Sequence, residues 1–356
     1  PHLNWEGENT IVVRADNSRQ PASRWYTGAG IYRHVRIVVT DPVHIDQWGV
    51  FVTTPEVRDD RATVRVQTDI VNTTGADREV ALTTAIESPD GREVAAGQHV
   101  EVVPAGITRR IIQVFEIPDP QRWDLDTPRL YTAVSRVTSD GRIHDNQRTR
   151  FGIREFEFRA DTGFWINGRN IKIKGVALHH DGGAVGAAVP LDVWRRRFEL
   201  LREMGANAIR TAHNPFSQEF FDLADEMGFL VMHEVLDAWT VGKNSAEQGY
   251  HRDFAEWWSR DTEDAVRRDR NHPSIFIYSA GNEIRDNLDS LEGIMQLQSL
   301  LDLYHTLDPS RPVTMALFRP NQMNVYDNGF ADMLDVIGQN YREGELIAAW
   351  RQNPQR

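Results

Sequence analysis

From about residue 170 onward the chain alternates, at near-constant spacing, between short apolar runs and helix-patterned stretches, and few folds can be built from that alternation. "NIKIKGVALHH" reads as a strand, and "LDVWRRRFELLREMG" as a helix with Leu191, Trp194, Phe198 and Leu201 on one stripe. The pair repeats as "ANAIRTAHN" with "SQEFFDLADEMG", "FLVMHEVLD" with "DFAEWWSRDTEDAVRRD", and "SIFIYSAGNE" with "SLEGIMQLQSLLDLYHTL". "PVTMALF" follows, then "MLDVIGQNY" with "GELIAAWRQ". Repeats of this kind imply a parallel sheet with crossover helices. Six strands are countable against the eight of a closed (β/α)8 barrel, so residues 151–356 are expected to form a partial TIM barrel.

The first 150 residues have a different texture. "ATVRVQTDIV", "EVALTTAIES" and "RIIQVFEI" mix β-branched residues with alternating polar ones, as half-buried antiparallel strands do. Asp90-Gly91 and Asp140-Gly141 are turn signals between them. Residues 46–150 therefore suit an immunoglobulin-like β-sandwich, while residues 1–45, with "NTIVVRAD", offer too few strands for a core and read as the end of a larger β domain. The whole is a multidomain β plus α/β chain.

Composition excludes several classes. A formal net charge of -12 argues against a nucleic-acid partner. Without cysteine there is neither a disulfide framework nor a thiolate metal site. No apolar run approaches the ~20 residues of a membrane-spanning helix, so no membrane partner is expected. The opening "PHLNWEGENT" lacks Met and the marks of a leader, so localisation cannot be read, and a homo-oligomer stays open.

Polar residues gather where the barrel strands end. His179, His180 and Asp181 close the first, Arg210, His213 and Asn214 the second, Glu234 and Asp237 the third, Asn282 and Glu283 the fourth, and Asn340 and Tyr341 the sixth. In a barrel these ends form one rim, so the residues converge on one pocket. Each alone has a plainer reading as a loop-anchoring hydrogen bonder; five strands placing polar groups on the same rim is harder to explain that way.

"RDRNHPSIFIYSAGNEI" resembles the acid/base segment of glycoside hydrolase family two, which includes β-galactosidases, β-glucuronidases and β-mannosidases. "SRWYTGAGIYRHVRI" is similar to the end of that family's sugar-binding jelly roll. "FGIREFEF", "GFWINGRNIKIKGVALHHD", "NAIRTAHNP" and "DVIGQNY" match the barrel entry and the first, second and sixth strands, in the family's order. Tyr278 stands where many members carry Trp.

The resemblance implies a retaining exo-acting glycosidase that cleaves terminal β-linked sugars, β-galactoside first and β-glucuronide next, with an oligosaccharide or glycoside as substrate. Such enzymes pair a carboxylic acid of raised pKa with a nucleophilic carboxylate ~5 to 5.5 Å away. Glu283 would be the acid/base and Asn282 the donor to the sugar 2-hydroxyl. His180, His213 and Asn214 would bind sugar hydroxyls, and Tyr341 would lie beside the nucleophile. Trp239 would be a stacking wall or would be buried under its loop. The nucleophile is expected after residue 356, since Glu343 and Glu345 come too early for a seventh strand, and a chain cut at both ends is expected to be inactive alone. No cofactor or obligatory metal is expected; "HEVLDAWTVGK" lacks the magnesium pair of some galactosidases, although Asp237 with Glu283 leaves a hard cation open. A non-catalytic carbohydrate-binding or scaffolding protein on the same fold is the alternative.

Overall fold

The computed structural model describes residues 3–318 and 323–355. Seven strands build the sandwich: β1 (Val43–Val57), β2 (Arg61–Asn72), β3 (Arg78–Glu87), β4 (Glu93–Val103), β5 (Thr108–Pro118), β6 (Tyr131–Ser139) and β7 (Arg142–Phe151). They form two antiparallel sheets, ordered β1-β2-β5 and β4-β3-β6-β7. Alternation decides which residues go inside: Ala62, Val64 and Val66 of β2 meet Val80, Leu82 and Ile86 of β3 in one core. At the β6–β7 turn Asp140 and Gly141 both have positive φ, 51° and 72°, as a two-residue hairpin of right-handed twist requires.

A small sheet of β8 (Phe156–Arg159), β9 (Gly163–Ile166) and β10 (Arg169–Asn170) follows. Its Phe164 packs edge-on against Phe276, ring centres 5.3 Å apart. The parallel sheet then runs β11 (Gly175–Leu178), β12 (Ala208–Thr211), β13 (Leu230–Glu234), β14 (Ile275–Asn282), β15 (Val313–Leu317) and β16 (Gly338–Gln339), each beside its sequence neighbour. Every residue of β14 is buried, which is why its sequence is continuously apolar and not alternating. Helices α1 (Leu191–Glu203), α2 (Gln218–Met227), α3 (Phe254–Asp269), α4 (Leu291–Leu307) and α5 (Glu343–Gln352) belong to the barrel half. On the α1 stripe Trp194 and Phe198 are buried, whereas Leu191 is exposed. The six strands expected from the sequence are all present, curled as part of a TIM barrel.

Sandwich and barrel are joined closely. The Asn271 side chain behaves like a strand residue beside β1, donating to the Val50 carbonyl (2.8 Å) and accepting from the Val52 amide (2.9 Å). Arg150 spans to Asp222 (2.5 Å) and Glu226 (2.7 Å) on α2.

Residues 3–42 depart from expectation. No regular strand forms there, and Ile11, Val12 and Val13 of "NTIVVRAD" are exposed. A strand needs a partner for its backbone groups, and none lies beside this segment among the described residues. The first strand opens at Val43, three positions before the expected boundary. The segment instead crosses the barrel rim: Arg33 donates to the Pro215 carbonyl (2.9 Å), and His34 and Arg36 reach Glu219 (2.7 and 2.9 Å). No helix among the described residues is long and apolar enough to cross a membrane.

Candidate active site

The rim is organised from beneath by a carboxylate with no solvent exposure. Glu234, the last residue of β13, accepts from Arg210 through both oxygens (3.1 and 2.8 Å), from His213 (2.5 Å) and from Ser279 (2.6 Å). Burial alone would push this carboxyl up, but the His213 hydrogen bond and the Arg210 charge outweigh it and hold Glu234 below the usual range. It is thus a fixed anion that orients Arg210 and His213, residues of the neighbouring strand end.

A second layer lies toward the opening. Asn282 accepts from Arg210 (2.8 Å) and Asn340 (3.2 Å) and donates to Asp237 (2.8 Å). Lys243, nearly buried, donates to Asp237 (2.5 Å) and to the Asn282 carbonyl (2.7 Å). Burial pulls the Lys243 ammonium down despite the attraction of Asp237; for Asp237 the balance is reversed, and Lys243 together with Asn282 overrides burial to hold its carboxyl low. Each charge meets its partner at hydrogen-bond distance.

Glu283 follows directly. Its backbone sits at φ 48°, in the left-handed region that side-chain-bearing residues seldom occupy, and its amide donates to the Ala316 carbonyl (2.8 Å). Oε1 accepts from Asn340 (3.0 Å), and Oε2 lies 3.8 Å from Arg24. The carboxyl is mostly buried and faces the same mouth as Asp237, which Arg24 also approaches at 3.5 Å. Uncommon backbone geometry of this kind gathers at functional sites.

Arg24 and its neighbour Trp25 come from the N-terminal segment. The Trp25 ring stacks on His179 (centres 5.0 Å apart, planes 9° apart), and both rings meet His213 edge-on at 5.4 Å. Trp25, His213, Asn214, Asp237 and Lys243 line one cavity of about 390 Å3. The sequence reading had no role for Arg24, Trp25 or Lys243. The stretch "SRWYTGAG" carries no periodicity that would aim it at a strand end more than a hundred residues away, and only the folded chain places it there.

Of the expected site residues, Asn282 and Glu283 gather with Asn340, while His213 and Asn214 line the cavity that Asp237, bonded to Asn282, also lines. Tyr341 lies on the same rim, exposed, at φ 59° and edge-on to Phe318. One placement needs correction, and one open alternative is decided. His180 is turned away into an aromatic cage, with ring centres 5.0 Å from Phe216 and 5.4 Å from Trp194, and burial pushes its imidazole down to about 4, helped by the charge of Arg33. Adjacent residues leaving a strand point to opposite sides, so His179 faces Trp25 and His180 faces α1. Trp239 is no stacking wall: it is fully buried, donates to the Ala280 carbonyl (3.0 Å) and lies against Phe254.

Asp237 and Glu283, the two carboxylates open to a hard cation, already have cationic neighbours. Lys243, Asn282 and Arg24 all address the same Asp237 oxygen, so an added cation would face two existing positive groups. Away from the rim, Asp222, Asp225 and His272 stand close enough to suggest a metal cluster, but Arg150 occupies Asp222 and His272 is bonded to Asp225 (2.6 Å).

Comparison with known proteins agrees with this architecture. The family model for the TIM barrel domain of glycosyl hydrolases family 2 matches residues 158–356, and a further model of glycosyl hydrolases family 2 matches residues 43–154. A β-galactosidase of Bacteroides ovatus is 39% identical over 97% of this chain and 44% of its own length. A β-glucuronidase of Formosa agariphila is 30% identical over 87% of this chain and 32% of its own. A crystal structure of a family 2 member from Bacteroides cellulosilyticus superposes with a TM-score of 0.89 at 35% identity, covering 94% of this chain and 42% of that one. The chain thus spans less than half the length of these relatives. With both family models in the expected order along the sheets described above, the chain belongs to glycosyl hydrolase family 2.

Proposed function

We propose that the protein of which these residues form part is a retaining β-glycosidase with Glu283 as its acid/base. The observation that carries this reading is the setting of Glu283, a mostly buried carboxyl at the mouth of a parallel barrel, with one oxygen held by Asn340 and the other turned toward the opening. Such a carboxyl can give a proton to a departing glycosidic oxygen and later take one from water. Asn282 has one N–H on Asp237 and a second for a sugar hydroxyl, while His213 and Asn214 line the cavity that Asp237 also lines. The other carboxylates nearby are committed: Glu234 to Arg210 and His213, Asp237 to Lys243. Glu343 and Glu345 lie in the first turn of α5.

A β-galactoside is the preferred substrate on the likeness to the Bacteroides ovatus protein. A β-glucuronide is the second reading, favoured by one feature, the half-exposed Arg24 guanidinium at the mouth, whose fork matches a uronate carboxylate. The deciding experiment is Glu283→Gln in the full-length protein. The amide keeps the shape but cannot donate a proton, so substrates with poor leaving groups should lose far more rate than activated aryl glycosides. Equal losses on both would remove Glu283 from the acid/base role.

A further inference from the structure

At the end of the barrel opposite Glu283, the outer face of the β1-β2-β5 sheet looks onto the residues that precede β14 and β15. Between them lies a cavity of about 950 Å3. Alternation along β2 turns Arg65, Gln67 and Asp69 toward it, and Gln67 and Asp69 are buried although they lie on the sheet's outer face. From the barrel side come Arg154, Arg270 and Arg311.

The charges in this cavity do not cancel. Arg311 pairs with Asp308, Arg110 with Asp69 (2.8 Å), and Arg267 with Asp46 (2.8 Å). Arg154 and Arg270 are buried with no carboxylate in contact. Arg154 donates to the carbonyls of Pro273 (2.8 Å) and Ile275 (3.1 Å), and Arg270 to those of Leu307 (2.9 Å) and Trp48 (3.3 Å). The Nε of Arg270 is buried with no hydrogen-bond partner. Opposite them Arg65 is half-buried, and its side chain makes no hydrogen bond or ion pair among the described residues. The remaining acid on the cavity wall, Glu155, is exposed, and Glu263 already faces Arg267. Burying a guanidinium without a counter-charge is costly, and burial draws Arg270 down to about 10. An unpaired buried donor adds to that cost. Carbonyls and aromatic faces stabilise these cations only in part; Arg154 lies over Phe156 and Arg270 over Phe51.

We propose that this cavity binds a phosphate or sulfate group, free or carried on a sugar, between Arg65 of the sandwich and Arg154 and Arg270 of the barrel. Guanidinium forks suit tetrahedral oxyanions, and the space exceeds what a bare halide needs. A ligand held by both domains would also fasten their junction.

The test is calorimetric titration of the full-length protein at constant ionic strength with inorganic phosphate and, separately, with a sulfated disaccharide. Saturable binding should weaken roughly tenfold or more in Arg65→Ala, the loss expected when one good ionic contact is removed. It should recover in part in Arg65→Lys and stay unchanged in Arg92→Ala, an exposed arginine on the β3–β4 turn that does not line the cavity. Tighter binding of the disaccharide than of phosphate identifies a sugar-borne anion, and the reverse order a free one. Because Arg65 has no partner to lose, its variants should melt with the parent in chloride buffer; should the Ala variant misfold, the Lys variant alone must still bind more weakly than the parent. Absence of saturable binding for both probes, or undiminished binding in the Arg65 variants, overturns the proposal.

Discussion

Arg24 and Glu283 meet at the barrel mouth, guanidinium Nη1 3.8 Å from carboxylate Oε2, although one belongs to an N-terminal segment without regular structure and the other directly follows β14, a strand buried along its whole length. The contact makes the segment part of the site. Arg24→Ala should leave the melting temperature nearly unchanged, since a half-exposed guanidinium 3.8 Å from its partner contributes little to stability. It should lower kcat/KM by about 10-fold or more on the substrate actually turned over. A fall confined to aryl β-glucuronides would assign Arg24 to a uronate, and a fall on galactosides alike would assign it to positioning Glu283.

Trp25 and Trp239 should separate cleanly. Trp239→Ala removes a fully buried indole and its hydrogen bond to Ala280, at a cost of about 3 to 5 kcal/mol of stability. Trp25→Ala, on a half-buried ring stacked over His179, should cost little stability and raise KM. Chemical denaturation and steady-state kinetics on the two variants check both expectations; a raised KM with unchanged stability for Trp239→Phe would return that residue to the sugar.

His180 makes a pH prediction. In the folded chain its imidazole is pushed down to about 4, against about 6.5 when unfolded, so between those values the unfolded state binds the extra proton. Stability is therefore full above pH ~6.5 and falls as pH drops toward 4, by ~3 kcal/mol over the window. His180→Phe, which suits the cage of Phe216 and Trp194, should flatten that slope and leave KM unchanged. A stability profile of the same slope in the variant would count against it.

Glu234→Gln should destabilise by about 3 kcal/mol, because Arg210 then keeps its charge without a matched acceptor. Thermal unfolding measures this. A drop in activity without loss of stability would instead give Glu234 a direct chemical role.

The barrel half was legible because its signals are local. The β14 run is continuously apolar because both faces are covered, and the α1 stripe shows in the spacing of Trp194 and Phe198. Asn282 and Glu283 follow from the same logic, since a polar pair at the end of such a strand has only the rim to occupy. His179 and His180 show the limit of this reading. They are neighbours of one type, and which of them faces the pocket depends on where β11 ends, a one-residue matter that composition does not encode. Trp239 was ambiguous for the opposite reason, an aromatic in a loop being equally suited to a wall or a core. Arg24 and Trp25 had no legible signal, because their position depends on contacts with Pro215, Glu219 and Gln248 that are distant in sequence.

Asn340 donates through one amide nitrogen to both Asn282 and Glu283 Oε1, and this breaks the symmetry of the Glu283 carboxyl. Oε1 is occupied by this N–H, which leaves Oε2, 3.8 Å from Arg24, as the edge open to a ligand. On the proposed role of Glu283 as acid/base, a departing oxygen would approach from the side of Arg24. The two edges of the carboxyl therefore differ through a single side chain just past β16, and a small slide of that short strand would change which Glu283 oxygen is open without moving Glu283 itself.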